Sequence, residues 1–249
     1  MGRTDKPMSI PVKLVDDREV QLDPRTASLG GSFWYDPPQV YSPLPLKWAF
    51  EQLSRYPKAT LLDVDASTGC YTLLSALHPD LTVHSFEPVP LTNMILRENV
   101  YLNNLLDKVT INSCAVSNYS GTGVMHVVKA DGGKGISMFD GKPAYHKDCE
   151  DIPMPVITLD DYCAEHDIIP TLIKVDTEGG ELMVLEGARK TIIKHHPFII
   201  CEYSAENADQ YGYIPSRIVE FVEEFGYVWS NPEQTDLLCV AKNWEELVK

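Results

Sequence analysis

The sequence lacks the long apolar segments and the basic excess that mark several protein classes. No apolar run approaches the roughly 20 residues that a membrane-spanning helix needs, and residues 1–7 have no apolar core of the kind found in signal peptides. Lys and Arg number 21 against 36 Asp and Glu, so the formal net charge is −15. This balance argues against nucleic-acid phosphates or an anionic membrane surface as the main partner. We expect a reduced, cytoplasmic compartment and no membrane span.

Closely spaced cysteine pairs are missing as well. The six cysteines are scattered, with no Cys-x-x-Cys spacing, which argues against a zinc site or a redox dithiol. Cys114, Cys201 and Cys239 lie inside apolar runs and are predicted to be buried free thiols. Asp176, Glu178 and Glu202 offer the oxygen ligands that divalent cations prefer. Nothing in their spacing requires a cation, so no metal site is predicted.

Two phosphate-binding fingerprints are absent. The chain has neither Gly-x-Gly-x-x-Gly nor Gly-x-x-x-x-Gly-Lys-Ser/Thr, which argues against a dinucleotide-dependent enzyme and against an NTPase. With 249 residues, 44% hydrophobic and 23% charged, the composition is that of an ordinary globular protein with a sizeable core.

The chain divides into a breaker-rich start and a regular remainder. Frequent Pro and Gly in residues 1–44 predict an N-terminal arm or lid, whose aromatic cluster Phe33-Trp34-Tyr35 either anchors it to the core or covers a cleft. Residues 45–249 alternate apolar strands with amphipathic helices and end in two further strands, which predicts one α/β domain. A Gly/Pro-rich insertion at about 118–156 interrupts it, with a predicted hairpin strand at 124–128 and a mobile middle.

Hydrophobic periodicity and breakers locate the elements of this domain. Helices are predicted over 45–56, 70–77, 91–103, from 158, over about 179–193 and over 215–225. Strands are predicted near 60–64, over 81–86, 109–117, 172–176 and 197–203, and in a closing pair at 227–229 and 237–241.

The stretch 60–74 is the strongest functional signal. An apolar strand ends in Asp63-Val64-Asp65 and passes through a turn of small residues into a predicted helix, whose N-terminal N–H groups would face an anionic ligand. About 20 residues later the next strand ends in Glu87. An acid at that point is placed to bind the two hydroxyls of a ribose. The loop and the distal acid together predict a nucleoside cofactor.

Three stretches together resemble the FkbM-type family of S-adenosylmethionine-dependent methyltransferases. They are Leu62 to Leu74 (LDVDASTGCYTLL), Phe86-Glu87-Pro88 leading into Arg97-Glu98-Asn99, and Leu172 to Leu182 (LIKVDTEGGEL). Ala115-Val116-Ser117 and Thr158-Leu159-Asp160-Asp161 match more weakly, and the resemblance runs from about residue 60 to 230.

This resemblance implies a Rossmann-like class I methyltransferase fold. Such a fold has a mostly parallel seven-stranded sheet with helices on both faces and a C-terminal β-hairpin. It also implies S-adenosylmethionine as the cofactor, with Asp63 and Gly69 in the first cofactor loop and Glu87, next to Pro88, bonded to the ribose. Ser113, Cys114 and Ala115 would lie by the adenine, and Asp176 to Gly179 would border the methyl-transfer cleft.

The first loop departs from the family pattern at two positions. The family's usual Gly and Asn are replaced here by Asp65 and Ser67. Glycine lets the backbone approach the methionine part of the cofactor, whereas Asp65 adds bulk and negative charge near its carboxylate. Asp65 could instead pair with the ammonium or sulfonium group of the cofactor, or turn away. Asp65 and Ser67 are therefore counted among the cofactor-binding candidates, together with Asp176.

An oxygen acceptor must lose its proton during methyl transfer. Asp176 and Glu178, at the end of the fourth strand, are the candidate catalytic groups, although Asp176 could only cap the following helix and Glu178 could only complement its dipole. Lys174, inside an apolar strand, is expected to form an ion pair or to extend its stem along apolar surface.

The main hypothesis is a methyltransferase that acts on a hydroxyl of a small molecule, sugar or lipid-like acceptor. The alternative is a catalytically inactive methyltransferase-like binding or scaffold module, motivated by Asp65 and Ser67. Neither the acceptor nor the oligomeric state can be derived from the sequence.

Overall fold

The computed structural model describes residues 9–15, 18–26, 40–41, 43–128, 137–139 and 149–243. The aromatic cluster at 33–35 and the Gly-rich middle of the insertion lie outside these residues, so the predicted arm, lid and mobile segment stay predictions. Among the described residues, no helix has the length and apolar character needed to cross a membrane.

Strands in the first half of the described chain are β1 (Ile10–Leu14), β2 (Glu19–Leu22), β3 (Val40–Tyr41), β4 (Ala59–Val64), β5 (Leu81–Phe86), β6 (Val109–Asn112), β7 (Ala115–Val116) and β8 (Gly121–Val128). Those in the second half are β9 (Ser137–Phe139), β10 (Cys149–Ile157), β11 (Leu172–Val175), β12 (Phe198–Glu202), β13 (Tyr227–Ser230) and β14 (Asp236–Ala241).

The helices are α1 (Leu44–Leu53), α2 (Pro90–Leu102), α3 (Leu159–Glu165), α4 (Glu181–Glu186), α5 (Arg189–His195), α6 (Ala205–Gln210) and α7 (Ser216–Glu224). Proline in the first turn starts α1 and α2, where its missing N–H costs nothing. Thr158 caps α3, because its side chain accepts a hydrogen bond from the Asp161 N–H at 3.0 Å.

Seven strands form the central sheet, in the order β13-β14-β12-β11-β4-β5-β6. The five strands from β12 to β6 are parallel, while β14 pairs antiparallel with β12 and with β13. The predicted mostly parallel sheet and its C-terminal hairpin are confirmed. In this arrangement the carboxyl ends of β4, β5, β11 and β12 meet along one edge of the sheet.

Each face of the central sheet has its own hydrophobic core. Leu62 and Val64 of β4 pack with α3, α4, α5 and α7, whereas Ala59 and Leu61 of the same strand pack with α1 and α2. This alternation follows from the two-residue period of a strand. It covers both faces with helices, as a parallel sheet requires.

The predicted third strand, 109–117, divides into two elements. Residues 109–112 form β6 at the edge of the central sheet, but Ala115 and Val116 pair with β10 in a second sheet of order β7-β10-β8-β9. The strands β8 and β10 pair over eight residues, so the described ends of the 118–156 insertion form a regular antiparallel ribbon. The predicted strand at 124–128 is confirmed within β8.

Two predicted helices are shorter than expected. Residues 70–77 contain only a 3₁₀ turn, Thr72–Ala76. The helix predicted over 179–193 is broken at Gly187, between α4 and α5. A side chain at Gly187 would put its Cβ 2.1 Å from the carbonyl oxygen of Ser117. The glycine therefore allows the junction of α4 and α5 to pack directly on the backbone that follows β7.

The described residues before 44 form a small three-stranded sheet, β2-β1-β3. Leu14, Val20 and Leu22 are fully or almost fully buried in the core beside α1 and α2. Asn99 of α2 and Asn103, the C-cap of α2, hold this sheet in place, because their side-chain oxygens accept the N–H groups of Asp23 at 2.7 Å and Gln21 at 2.8 Å.

Candidate active site

A cleft of about 250 Å³ opens at the carboxyl ends of β4 and β5, where open α/β sheets bind their ligands. Four predicted cofactor-binding residues line it, namely Asp65, Pro88, Cys114 and Ala115. The remaining walls combine apolar side chains with the turn after β11, and include Val64, Phe86, Val116, Ser117, Asn118, Tyr119, Met125, Thr177, Gly180, Met183 and Tyr211. The other predicted site residues are close in sequence to residues that line the cleft but do not line it themselves; they are Asp63, Ser67, Gly69, Glu87, Asp176 and Glu178.

Asp63, which precedes the cleft residues Val64 and Asp65 in the chain, is completely buried. Its Oδ2 accepts a hydrogen bond from the Thr72 hydroxyl at 2.6 Å, and that hydroxyl also lies 2.7 Å from the hydroxyl of Ser85. Oδ1 has no hydrogen-bond partner and faces the Lys174 ammonium at 3.7 Å. Burial raises the pKa of Asp63, and the charge of Lys174 opposes this rise.

The first loop holds two non-glycine residues in left-handed backbone conformations. Asp65 has φ 56° and Ser67 has φ 50°, and Gly69 follows with φ 102°. This conformation costs an L-residue roughly 1–2 kcal/mol, except that glycine, Asn and Asp tolerate it better. The loop therefore keeps the backbone shape that Gly and Asn would favour, with strain concentrated beside the cleft.

Glu87 connects the two loops that follow β4 and β5. Its carboxylate accepts the N–H of Ser67 at 2.9 Å and the N–H of Val89 at 2.8 Å, and only 2% of its surface is exposed. Burial raises the pKa of Glu87 to about 8, although both N–H donors act in the opposite direction. Glu87 thus fixes the first loop directly.

Lys174 is the cation at the centre of this acidic region. Its ammonium donates to the carbonyl oxygens of Val64 at 3.2 Å and Asp65 at 2.7 Å, and lies 3.6 Å from the Asp176 carboxylate. Burial is the largest single effect and opposes its charge, but the neighbouring acidic groups, Asp176 and Asp63 first among them, together raise its pKa. The expected ion pair is confirmed. The hydrogen bonds from Lys174, on β11, to the two carbonyl oxygens hold the start of the first loop in place.

The turn after β11 is built around a residue outside our sequence-based candidates. Glu181 Oε1 accepts the N–H groups of Thr177 at 2.8 Å and Gly179 at 3.0 Å, while its Oε2 accepts the Tyr213 hydroxyl at 3.2 Å. A Glu in the first turn of α4, just after Gly179-Gly180, was the signal that could have identified this role.

Asp176 and Glu178 lie on either side of Thr177, which lines the cleft. The N-cap of α4 is Gly180, without a side-chain cap, so Asp176 pairs with Lys174 instead of capping the helix. Glu178 has φ 54°, and its carboxylate accepts the Asn207 side-chain amide at 2.9 Å. Burial, followed by the charges of Asp176 and Glu181, raises the pKa of Glu178 to about 7.

The arrangement concentrates carboxyl groups with raised pKa values at one edge of the sheet. Burial is the largest cause for each, and it raises the pKa of Asp65 well above its ordinary value and that of Glu202 to about 9. In the part of the chain that the structure describes, no group of three or more His, Cys, Asp or Glu side chains could hold a metal ion. Such carboxyls can hold or accept protons and can face cationic groups of a ligand.

All six cysteines are free thiols, and the three predicted to be buried are buried. Burial raises the pKa of Cys114 to about 11, so its thiol stays protonated at neutral pH. Cys114 therefore lines the cleft as a small apolar group.

Comparison with known proteins places this geometry in a family. The model of the methyltransferase FkbM domain matches residues 63–229. The 31-O-demethyl-FK506 methyltransferase FkbM of Streptomyces tacrolimicus is 29% identical over 157 residues, covering 53% of this chain and 60% of that protein. The crystal structure of methyltransferase FkbM from Methylobacillus flagellatus has a TM-score of 0.50 at 20% identity, covering 74% of this chain and 44% of that one.

The chain therefore spans less than two thirds of the length of each of these two relatives. The structural likeness establishes the fold, and the family model covers well over half of the chain, from Asp63 at the end of β4 to β13. This protein belongs to the methyltransferase FkbM domain family.

Proposed function

We propose that this protein is an S-adenosylmethionine-dependent methyltransferase that methylates a hydroxyl group of a small-molecule, sugar or lipid-like acceptor. The observation that carries the proposal is the cleft at the ends of β4 and β5, with Asp65 in its wall and Glu87 and Glu178 beside it. A curated relative is named as a methyltransferase of 31-O-demethyl-FK506, which supports an oxygen atom as the acceptor.

The residues present suit this cofactor. S-adenosylmethionine carries two cationic groups, an ammonium and a sulfonium, and the region around the first loop is rich in carboxyl groups. The buried Asp63 Oδ1 has no hydrogen-bond partner, and Asp65 lines the cleft. The left-handed backbone at Asp65 and Ser67 preserves the loop despite the absence of the family's usual residues. These features favour binding over loss of the cofactor.

We assign the residues as follows. Asp65 faces the cationic methionine part, Glu87 accepts the ribose hydroxyls through lone pairs that the two backbone N–H groups leave open, and Pro88, Cys114 and Ala115 border the adenine. Asp63, Ser67, Gly69 and Asp176 hold the loop and turn in place.

Glu178 takes the proton of the acceptor hydroxyl. When bound, the cofactor would supply an activated methyl group for transfer to the acceptor oxygen, and its sulfur would take the electron pair of the bond that breaks. A carboxyl group with a pKa of about 7 is well matched to proton transfer at neutral pH. The apolar side chains in the cleft walls exclude water from the reacting groups.

Replacing Glu87 with glutamine should weaken binding of S-adenosylhomocysteine by about 1–3 kcal/mol, because the ribose hydroxyls lose one of the two carboxyl oxygens that can accept their hydrogen bonds. Calorimetry compares binding of S-adenosylhomocysteine with binding of its 2′-deoxy analogue. This comparison distinguishes the loss of the ribose contact from a general loosening of the first loop. The wild type should prefer the 2′-hydroxyl ligand, and the variant should lose that preference. Asp107→Ala serves as the control, because it removes an exposed acid just before β6, at the amino ends of the strands.

Wild-type protein that binds neither S-adenosylmethionine nor S-adenosylhomocysteine would overturn the proposed function.

The rival function, an inactive binding or scaffold module, predicts a different response of the first loop. In the Asp65→Gly, Ser67→Asn double variant, an enzyme should keep cofactor affinity within about tenfold of wild type, because the backbone already has the required conformation. If calorimetry instead finds affinity only in the double variant, the scaffold interpretation replaces ours.

A further inference from the structure

The side-chain amide of Asn207 lies between two carboxyl groups. Its Nδ2 is 2.9 Å from Oε2 of Glu178 and 3.1 and 3.2 Å from the two oxygens of Glu202. An amide nitrogen carries two hydrogens. One N–H therefore serves Glu178, and the other is shared by the two oxygens of Glu202.

Backbone contacts fix Asn207 in this position. The Asn207 N–H donates to the hydroxyl of Ser204, the N-cap of α6, at 3.2 Å. Its carbonyl oxygen lies so near Gly179, with φ 110°, that a Cβ there would approach it to 2.3 Å. The distance between the first turn of α6 and the turn that carries Glu178 is thus set by packing of main chain on main chain.

Two half-buried carboxyl groups around one neutral donor cannot both ionise at low cost. Burial is the largest cause that raises the pKa of Glu178 to about 7 and that of Glu202 to about 9. At neutral pH Glu202 therefore keeps its proton, and Glu178 is the member that ionises. The titratable groups facing this pair from the neighbouring elements are Asp65, Asp176, Glu181 and Asp236, which pairs with Glu202 across β12 and β14, and the cation is Lys174.

We propose that Asn207 is a positioning residue for methyl transfer, which holds the Glu178 carboxyl beside the cleft and stabilises its charged form, with Glu202 as the neutral partner. This inference rests on the proposed function, in which Glu178 accepts the proton of the acceptor hydroxyl. Asn207 does not line the cleft, so the role proposed for it is to position Glu178.

The first test titrates the resting protein. In protein labelled with ¹³C at the Glu side chains, the Asn207→Leu variant should show the pKa of Glu178 raised by about one pH unit, because the carboxylate loses a hydrogen bond that favours its charged form. Glu178→Gln and Glu202→Gln assign the two signals. Glu206→Gln removes an exposed charge from the same helix turn and should leave both titrations in place. Unchanged titration of Glu178 in Asn207→Leu would overturn the inference.

The second test follows methyl transfer against pH. In Asn207→Leu, kcat at pH 7 should fall by about fivefold, the KM for the cofactor should stay near its wild-type value, and the acidic limb of the rate profile should move to higher pH. Asn207→Asp, which replaces the donor with a further carboxylate, should move that limb at least as far. An equal loss at every pH, with the limb unmoved, would indicate a merely structural role and overturn the inference.

Failure of the inference and failure of the proposed function give different results. If wild-type protein does not bind S-adenosylhomocysteine, the proposed function fails. If wild type and Asn207→Leu bind it equally well and the acidic limb stays in place, only the role of Asn207 is overturned.

Discussion

Replacing Lys174 with methionine is expected to lower the free energy of unfolding by about 3–5 kcal/mol at neutral pH, the usual cost of removing one partner of a buried ion pair. Only 4% of Lys174 is exposed, and its ammonium faces the fully buried carboxylate of Asp63 at 3.7 Å. Methionine fills a similar volume without a charge. The loss therefore reports the uncompensated Asp63 carboxylate and the two loop carbonyls that lose their donor.

Urea denaturation of matched variants measures this effect. Lys58→Met makes the same substitution at an exposed position and should change stability by less than about 0.5 kcal/mol. Adding Asp63→Asn to Lys174→Met should recover part of the loss, because no buried charge then lacks a partner. The explanation is wrong if Lys174→Met is as stable as Lys58→Met, or if the double variant is no more stable than Lys174→Met alone.

The ligand-free protein should become less stable as the pH rises from about 5 to about 8. The pKa of Glu87 is raised from 4.5 to about 8 and that of Glu202 from 4.5 to about 9, chiefly by burial. A carboxyl group whose pKa is higher in the folded chain than in the unfolded chain keeps its proton on folding, so the folded chain binds more protons in this window. Each such group lowers the free energy of unfolding by at most about 1.4 kcal/mol per pH unit as pH rises.

Chemical denaturation at pH 5, 6.5 and 8 tests the sign of this dependence. Glu202→Gln removes one titrating group while still accepting a hydrogen bond from Asn207. The variant should gain most over wild type at pH 8 and little at pH 5, so its stability should vary less with pH. Asp209→Asn, an exposed acid on α6, should follow the wild-type curve. Stability that rises with pH over this window would contradict the burial of protonated carboxyl groups.

Strong local patterns predicted most of the central domain. Leu61, Leu62 and Val64 predicted a strand, because a short apolar run is typical of a strand that is covered on both faces. Pro90 and Thr158 predicted helix starts, because proline suits the first turn and a threonine side chain can cap it. The order of these elements also identified the ends of β4 and β5 as the edge that carries the cleft. A short helix such as α6, held by the cap at Ser204 and by its contact with Gly179, had no comparable apolar period.

Local sequence patterns could not predict which residues far apart in the chain come into contact. Lys174 meets Asp63 and Asp65 across 111 and 109 positions only because β4 and β11 are neighbours in the sheet. Likewise, Asn207 reaches Glu178 across 29 positions because β11 and β12 are adjacent and α6 folds back onto the turn.

The sequence alone therefore determined the family resemblance, the parallel sheet and the identity of the acidic loop residues, because each depends on spacing within a short segment. The tertiary structure alone decided which carboxyl groups are buried and what each one contacts. Asp65 shows the difference: its departure from the family pattern is visible in the sequence, but the left-handed backbone that preserves the loop around it appears only in the folded chain. Burial and pairing across strands set the charge of such groups, and both are properties of the packed sheet.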